Sequence, residues 1–180
     1  MGITAILINP YELGRQSFGL AHPAAVLREA GHTVRCIDFS VQQLSDELFQ
    51  GAQLVAIQLA MHTATRIAIE ALERIRMSAP GAHVCCYGLY APVNEAYLRE
   101  LGVDTILGGE FEPALAFLAQ SLSTGTNAAD DVSADILSND AKVSFVVPYR
   151  DELTPLDQHA GLRLADGTEI TMGFAETTRG

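Results

Sequence analysis

The sequence is poor in basic residues and contains no long apolar run. Its 180 residues include 11 Lys and Arg against 22 Asp and Glu, a formal net charge of −11. Binding to nucleic acid needs a basic face that releases counterions, so this charge argues against DNA, RNA and an anionic membrane surface as partners. The longest apolar runs, residues 3–8 and 54–61, are too short to cross a bilayer.

The N-terminus also lacks a signal peptide, and the cysteines lack metal-ligand spacing. Met1-Gly2-Ile3 runs into a strand-like segment without a basic flank, so we expect a cytoplasmic protein. Cys85 and Cys86 are adjacent and Cys36 stands alone, which favours plain reduced core residues. The hydrophobic fraction of 48% is ample for a core, and the length allows one domain or one domain plus a tail.

Strand-like and helix-like segments alternate five times along the first 122 residues. The predicted strands are residues 3–8, 33–39, 54–60, 83–87 and 103–107. The predicted helices are residues 22–30, 41–49, 63–77, 93–101 and 111–122. Such alternation is typical of a parallel sheet covered by helices on both faces, and right-handed crossovers leave few topologies. We predict a doubly wound, flavodoxin-like (Rossmann-like) α/β fold, with a five-stranded parallel sheet in the order 2-1-3-4-5.

The composition changes after this domain, which spans residues 1–122. Residues 123–142 are rich in Ser, Thr, Asn and Asp and are interpreted as a flexible linker. Residues 143–180 form a short extended C-terminal tail, too small for a core of its own. In this tail we expect a strand at 143–147, and a hairpin that turns at Asp166-Gly167 between 162–164 and 169–171.

Ligands of such sheets bind beyond the carboxyl ends of the strands, near the switch point between the first and third strands. The loop after the first strand has the glycine spacing of a phosphate loop, from Gly14 to Gly19. Leu20 and Ala21 stand where Lys and Ser or Thr are required, so a nucleoside triphosphate is disfavoured. A dinucleotide fingerprint is absent as well. A phospho-accepting receiver site is disfavoured because Asn9 replaces its acidic cluster.

The loops at this edge instead offer small, apolar and neutral polar side chains. They suit a large flat ligand with amide side arms better than a polyphosphate. The alternative is that small residues at strand ends only let the helices pack closely. The candidate ligand-binding residues are Asn9, Pro10, Tyr11, Gln58, Leu59, Ala60, Met61, His62, Thr63, Gly88, Leu89, Tyr90, Gly108, Gly109, Glu110, Phe111 and Glu112.

Several segments resemble a known family. Residues 102–113 resemble the last strand and turn of cobalamin-binding domains attached to radical SAM modules, in which a Gly-Glu-x-Glu turn is frequent. Asn9-Pro10 resembles the usual end of the first strand in such domains. Residues 173–180, which finish in Glu-Thr-Thr-Arg-Gly, resemble the entry to the three-cysteine loop of radical SAM enzymes. Residues 11–25 and 80–92 look closest to radical SAM proteins named for a CUAEP or CCAEP tail.

The resemblance implies a cobalamin-binding domain that supports methyl transfer by a downstream radical SAM module of the same polypeptide. The chain would be cut just before the cysteine motif, the fragment alone would catalyse nothing, and the parent protein would also use a 4Fe-4S cluster and S-adenosylmethionine. The competing hypothesis is a degenerate scaffold that no longer binds cobalamin and only docks the catalytic module or a partner.

One departure supports that competing hypothesis. Cobalamin domains of the mutase and methionine-synthase type carry Asp-x-His-x-x-Gly, whereas this chain has Asn9-Pro-Tyr-Glu-Leu-Gly14. Any bound cobalamin is therefore expected to lack a protein histidine on its lower face. His62 is interpreted as a polar contact or an exposed residue at a helix start. Glu110 and Glu112 either favour the dipole of the fifth helix or contact the ligand.

Overall fold

The structure, a computed structural model, describes residues 2–126 and 146–176. The five strands of its main sheet are β1 (Thr4–Asn9), β2 (Thr33–Asp38), β3 (Leu54–Gln58), β4 (His83–Tyr87) and β5 (Thr105–Leu107). The helices are α1 (Phe18–Glu29), α2 (His62–Ser78), α3 (Glu95–Glu100) and α4 (Glu112–Thr124). The strands are parallel in the order β2-β1-β3-β4-β5, which confirms the predicted flavodoxin-like α/β fold.

Both faces of the sheet are covered by helices, which explains why the strands are continuously apolar. Successive side chains of a strand point to opposite faces. On β1, Leu7 packs in the cluster that includes residues of α1 and α4, whereas Ile6 and Ile8 pack with α2 and α3. No helix within the described ranges is long and apolar enough to span a membrane.

Helix α1 begins at Phe18, four residues earlier than the sequence predicts. Ser17 caps it, because its Oγ accepts a hydrogen bond of 3.2 Å from the backbone N–H of Leu20. Pro23 lies inside the helix and cannot donate to the carbonyl of Gly19, four residues before it. The hydroxyl of Tyr87 donates to that carbonyl instead, at 2.8 Å. This long-range contact lets the helix extend across a proline that the sequence pattern places near its start.

The predicted helix at 41–49 is wrong, because only a 3₁₀ turn at Asp46–Phe49 forms there. Asp38 holds the turn that follows β2, because its Oδ1 accepts hydrogen bonds from both the N–H and the hydroxyl of Ser40. The side chain of Gln42 accepts from the N–H of Asp38 at 2.8 Å. Such local side-chain bonds compete with a helix, and Ser40 therefore does not cap one.

The predicted helix at 93–101 begins instead with a 3₁₀ turn, Pro92–Asn94, before α3. The predicted hairpin of the tail is confirmed as β6 (Leu162–Arg163) and β7 (Glu169–Ile170), which pair antiparallel. Most of the linker at 123–142, and the predicted strand at 143–147 apart from its last two residues, lie outside the described ranges. The two described residues of that strand are not in a strand.

Residues 146–176, here called the strap, contact α1 near their start. The N–H of Tyr149 donates to the carbonyl of Ala21 at 2.9 Å, and the guanidinium of Arg28 lies 4.0 Å from the centre of the Tyr149 ring. Tyr149 and Leu153 pack on the core cluster of α1 and α4. The boundary at residue 122, and the role of the tail as an entry segment, stay predictions.

Replacing Leu7 by Ala should lower the free energy of unfolding by about 3 kcal/mol, since its side chain is fully buried in β1, an interior strand of the sheet. Met77→Ala is the control: Met77 is 69% exposed, so its truncation should change stability by no more than about 0.5 kcal/mol. Urea unfolding measures both variants. A loss below about 1 kcal/mol for Leu7→Ala would contradict this account of the core.

Candidate functional site

The carboxyl ends of β1, β3 and β4 bring three polar side chains into one row beneath α1. Asn9 ends β1, Gln58 ends β3 and Tyr87 ends β4. Asn9 shares the face of Leu7 because side chains alternate along a strand. Gln58 and Tyr87 contact α1 or its N-cap directly. The chain passes from β1 to β2 on one side and then crosses to β3 on the other, so this row marks the switch point.

The first turn of α1 rests on this row through hydrogen bonds. The hydroxyl of Ser17 donates to Oε1 of Gln58 at 2.8 Å. The Gln58 amide lies so close to Gly19 that a Cβ at that position would collide with it. The ring of Tyr87 packs on Phe111, with centroids 4.6 Å apart. A side chain at position 19 would force the Gln58 amide out of its place beside α1.

Asn9 is the unusual member of the row. Its side chain is 0% exposed, and within the described residues neither its Oδ1 nor its Nδ2 has a hydrogen-bond partner. A buried polar group left unpaired costs about 1–3 kcal/mol. Most buried polar groups in native proteins are paired, so this amide makes Asn9 a candidate for contact with a ligand.

The candidate residues divide into an outer rim and an inner layer. Those exposed or half-exposed at the rim are Tyr11, Ala60, Met61, His62, Thr63, Gly88, Leu89, Tyr90, Gly108, Gly109 and Glu110. Those buried are Asn9, Pro10, Gln58, Leu59, Phe111 and Glu112. The rim mixes polar and apolar side chains; Leu89, and Val93 four residues later in the sequence, are 72% and 79% exposed. A Cβ built on Gly109 would meet no atom within 4 Å.

The two described histidines near this edge, His22 and His62, lie in different surroundings. His62 is exposed and opens α2. His22 is buried, and its Nδ1 lies 2.8 Å from Oε1 of Glu112. The His22 ring also stacks on Phe18, with centroids 5.6 Å apart. This His22–Glu112 pair joins α1 to α4, which the sequence analysis missed because the two residues are 90 positions apart.

Glu12 is a second residue that the sequence analysis missed. It is 7% exposed, and burial raises its pKa to about 7, while a hydrogen bond with Ser17 opposes this shift. The nearby carboxylates of Glu176 and Asp38 raise its pKa further. The local sequence does not predict this burial. The apolar residue next to Glu12, Leu13, is 52% exposed, which reverses the usual preference of apolar residues for the interior.

The cysteines play no part in this edge. Cys36, Cys85 and Cys86 are buried free thiols. Burial raises the pKa of the Cys36 and Cys86 thiols to about 12, so both stay protonated and unreactive at neutral pH. Among the described residues no group of His, Cys, Asp and Glu side chains could hold a metal ion.

The fold has solved counterparts. No protein-family model matches this chain, and no curated protein matches it either. The radical S-adenosylmethionine methyltransferase TsrM from Kitasatospora setae, with cobalamin and a [4Fe-4S] cluster bound, aligns with a TM-score of 0.60 and 18% identity over 71% of this chain. TsrM with a tryptophan substrate and the SAM analogue aza-SAM aligns with a TM-score of 0.59 and 20% identity over 69%.

The chain spans about a quarter of TsrM, since each alignment covers 26% of that protein. At this identity the comparison shows a shared fold. The aligned part belongs to a protein that contains cobalamin, and the candidate edge described above is the one at which sheets of this topology bind ligands.

Glu12→Gln should remove a pH dependence of stability. Because the pKa of Glu12 is raised from 4.5 to about 7, the folded state binds more protons than the unfolded state between these values. Stability is therefore lost as the pH rises through this window, by about 3 kcal/mol. The variant should be more stable than the wild type by about this amount at pH 8, and the gap should shrink towards pH 4.5.

Urea unfolding at several pH values measures the gap, and Glu100→Gln, at an exposed carboxylate in α3, is the control. Subtracting wild-type values cancels the titration of groups that do not interact with Glu12. A gap that stayed constant with pH for Glu12→Gln would mean that this carboxyl is not protonated by burial.

Proposed function

We propose that this chain is the cobalamin-binding domain of a radical SAM enzyme and that it supports methyl transfer by the enzyme's catalytic module. The observation that carries the proposal is the buried amide of Asn9 at the switch point, which has no hydrogen-bond partner among the described residues. It supplies two N–H donors and two acceptor lone pairs, the complement of an amide side arm. The shared fold with TsrM, whose structure contains cobalamin, adds support.

The residues present fit a large flat ligand of this kind. Leu89 and Tyr90 offer apolar surface at the rim, and Gly109 leaves open space beside them. Asn9 would hold an amide arm, and Gln58 could exchange its bond with Ser17 for a bond to a second arm. Binding sites for such ligands are usually lined by apolar side chains, with a small number of polar groups that fix the orientation of the ligand.

When bound, cobalamin supplies the cobalt centre that carries a methyl group, and the protein contributes binding and orientation. The rim residues would exclude water from the ring, while the buried row would fix its rotation through the amide arms. Two described histidines lie near this edge: His22 is buried beside Glu112, and His62 is exposed at the start of α2, so we propose that neither ligates the cobalt.

A degenerate scaffold is the second candidate, and the tight packing beneath α1 favours it. The Gln58 amide fills the space beside Gly19, and Tyr87 packs directly on Phe111. A ligand that needs a deep cleft there would have to move α1. The departure of residues 9–14 from Asp-x-His-x-x-Gly points the same way.

Other expectations stay predictions. They include the downstream radical SAM module with its 4Fe-4S cluster and S-adenosylmethionine, the relation to CUAEP/CCAEP-tail proteins, the cytoplasmic location, and the absence of nucleic-acid and membrane partners. Each concerns a longer polypeptide or its surroundings. Purification of the protein from its natural source, followed by measurement of its mass and of its iron and sulfide content, tests the first of them directly.

Asn9→Leu should separate binding from stability. The substitution removes an unpaired buried amide at similar volume, so we expect the unliganded protein to gain about 1–2 kcal/mol in free energy of unfolding. Its affinity for hydroxocobalamin, followed by the change in visible absorbance on titration, should fall by about tenfold or more, the equivalent of one lost hydrogen bond. Gln50→Leu is the control, since Gln50 is exposed near the opposite edge of the sheet.

Three outcomes decide between the candidates. Wild-type binding that Asn9→Leu weakens supports the proposal. Unchanged binding in Asn9→Leu would move the ligand away from Asn9, and no spectral change with the wild type would favour the scaffold. Gly108 is a poorer choice than Asn9, because a Cβ there would collide with Pro92 and disturb the loop itself.

Removing His62 should leave the cobalt environment unchanged. Because His62 is exposed at a helix start and His22 is held by Glu112, His62→Ala should not alter the paramagnetic resonance spectrum of bound cob(II)alamin. His83→Ala, at the opposite edge of the sheet, is the matched control. Loss of nitrogen hyperfine splitting in His62→Ala alone would show that this imidazole ligates cobalt.

A further inference from the structure

The loop between β1 and α1, residues 10–17, is held in a strained conformation. Leu13 has φ +56° and Gly14 has φ +73°, so two successive residues occupy the left-handed region. For a leucine this conformation costs roughly 1–2 kcal/mol. The Leu13 side chain is 52% exposed, so its own burial offsets little of that cost. Such strain persists only where the surroundings hold the backbone in place.

The strap supplies that restraint. The N–H of Ala160 donates to the carbonyl of Gly14 at 2.8 Å. Gln16, which is 5% exposed, uses both ends of its amide on the strap: its Nε2 donates to the carbonyl of Thr154 at 2.9 Å, and its Oε1 accepts from Nη1 of Arg150 at 2.6 Å. The loop is therefore hydrogen-bonded to the strap immediately after its strained residues.

Arg150 also closes the strap on itself. While its Nη1 binds Gln16, its Nη2 donates to the carbonyl of Phe174 at 2.7 Å. The guanidinium carbon of Arg15 lies over the ring of Phe174, 5.0 Å from the centroid of that ring. The start of the strap, its end and the β1–α1 loop thus meet at one guanidinium group. A planar arginine fork can make two such bonds at fixed angles, which a lysine ammonium cannot reproduce.

We propose that Arg150 is a positioning residue that makes the β1–α1 loop and residues 170–176 move as one unit. The inference deepens the proposed function and rests on it in one respect, since the loop starts beside Asn9. A ligand held at the carboxyl edge would then stabilise the end of the strap, and displacement of that end would loosen the ligand-binding loop.

Amide hydrogen exchange of the 180-residue chain tests the coupling. In Arg150→Ala, exchange within both 10–17 and 170–176 should rise by about tenfold or more, because one group anchors both segments. Arg150→Lys should be intermediate, since it keeps the charge but loses the fork. Arg163→Ala is the control, because it removes an exposed strap arginine in β6 and should change neither segment.

If Arg150→Ala fails to fold, Arg150→Lys alone tests the coupling. Increased exchange of 170–176 with an unchanged 10–17 in either folded variant would overturn the coupling, because the strap would then only rest on the domain. Increased exchange of 10–17 to the same extent in Arg163→Ala would overturn the assignment to Arg150.

A second measurement separates this inference from the proposed function. If the wild type binds hydroxocobalamin, its dissociation constant should rise about tenfold in Arg150→Ala and less in Arg150→Lys, and binding should slow exchange at 170–176 in the wild type. Unchanged affinity and unchanged exchange at 170–176 would overturn the link to the ligand. If the wild type binds no hydroxocobalamin, the proposed function fails, and the exchange comparison without ligand still decides whether Arg150 couples the two segments.

Discussion

The hydroxyl of Tyr87 donates to the carbonyl of Gly19, and the carboxyl edge of the sheet depends on this contact. Pro23 deprives that carbonyl of its helical donor, so without Tyr87 the first turns of α1 would carry a buried unpaired acceptor. The bond joins the end of β4 to the start of α1. It thereby determines where the β1–α1 loop must end, and Ser17 is brought onto Gln58 as a consequence.

Costly features accumulate at this one edge. Asn9 is buried without a hydrogen-bond partner among the described residues, Glu12 is buried with a raised pKa, and Leu13 adopts a left-handed conformation. Each lowers stability, yet all three lie within five residues of the chain. Strain and unpaired polar groups concentrate where proteins bind ligands or move, because selection for function tolerates a local loss of stability there.

The fold alone does not decide among functions, since doubly wound sheets serve many unrelated ligands. Three side-chain features support the proposed cobalamin site: the Asn9 amide, which is unpaired among the described residues, the exposed apolar side chains of Leu89 and Val93, and the absence of a lysine where a phosphate loop requires one. The packing of α1 limits where a ligand could bind, because hydrogen bonds hold the start of this helix on Gln58 and Tyr87. Ligand entry beneath that helix would require it to shift, whereas contact along the rim would not.

The sequence by itself determined the sheet. Apolar runs such as residues 3–8 have the length of a buried strand, and the alternation of such strands with helices allows few topologies. It also predicts a candidate binding edge at the carboxyl ends of the strands. Only the tertiary structure decided the start of α1, the burial of Glu12 and the pairing of His22 with Glu112. These features depend on partners far away in sequence or on burial by distant segments, whereas a local pattern records only the preferences of neighbouring residues.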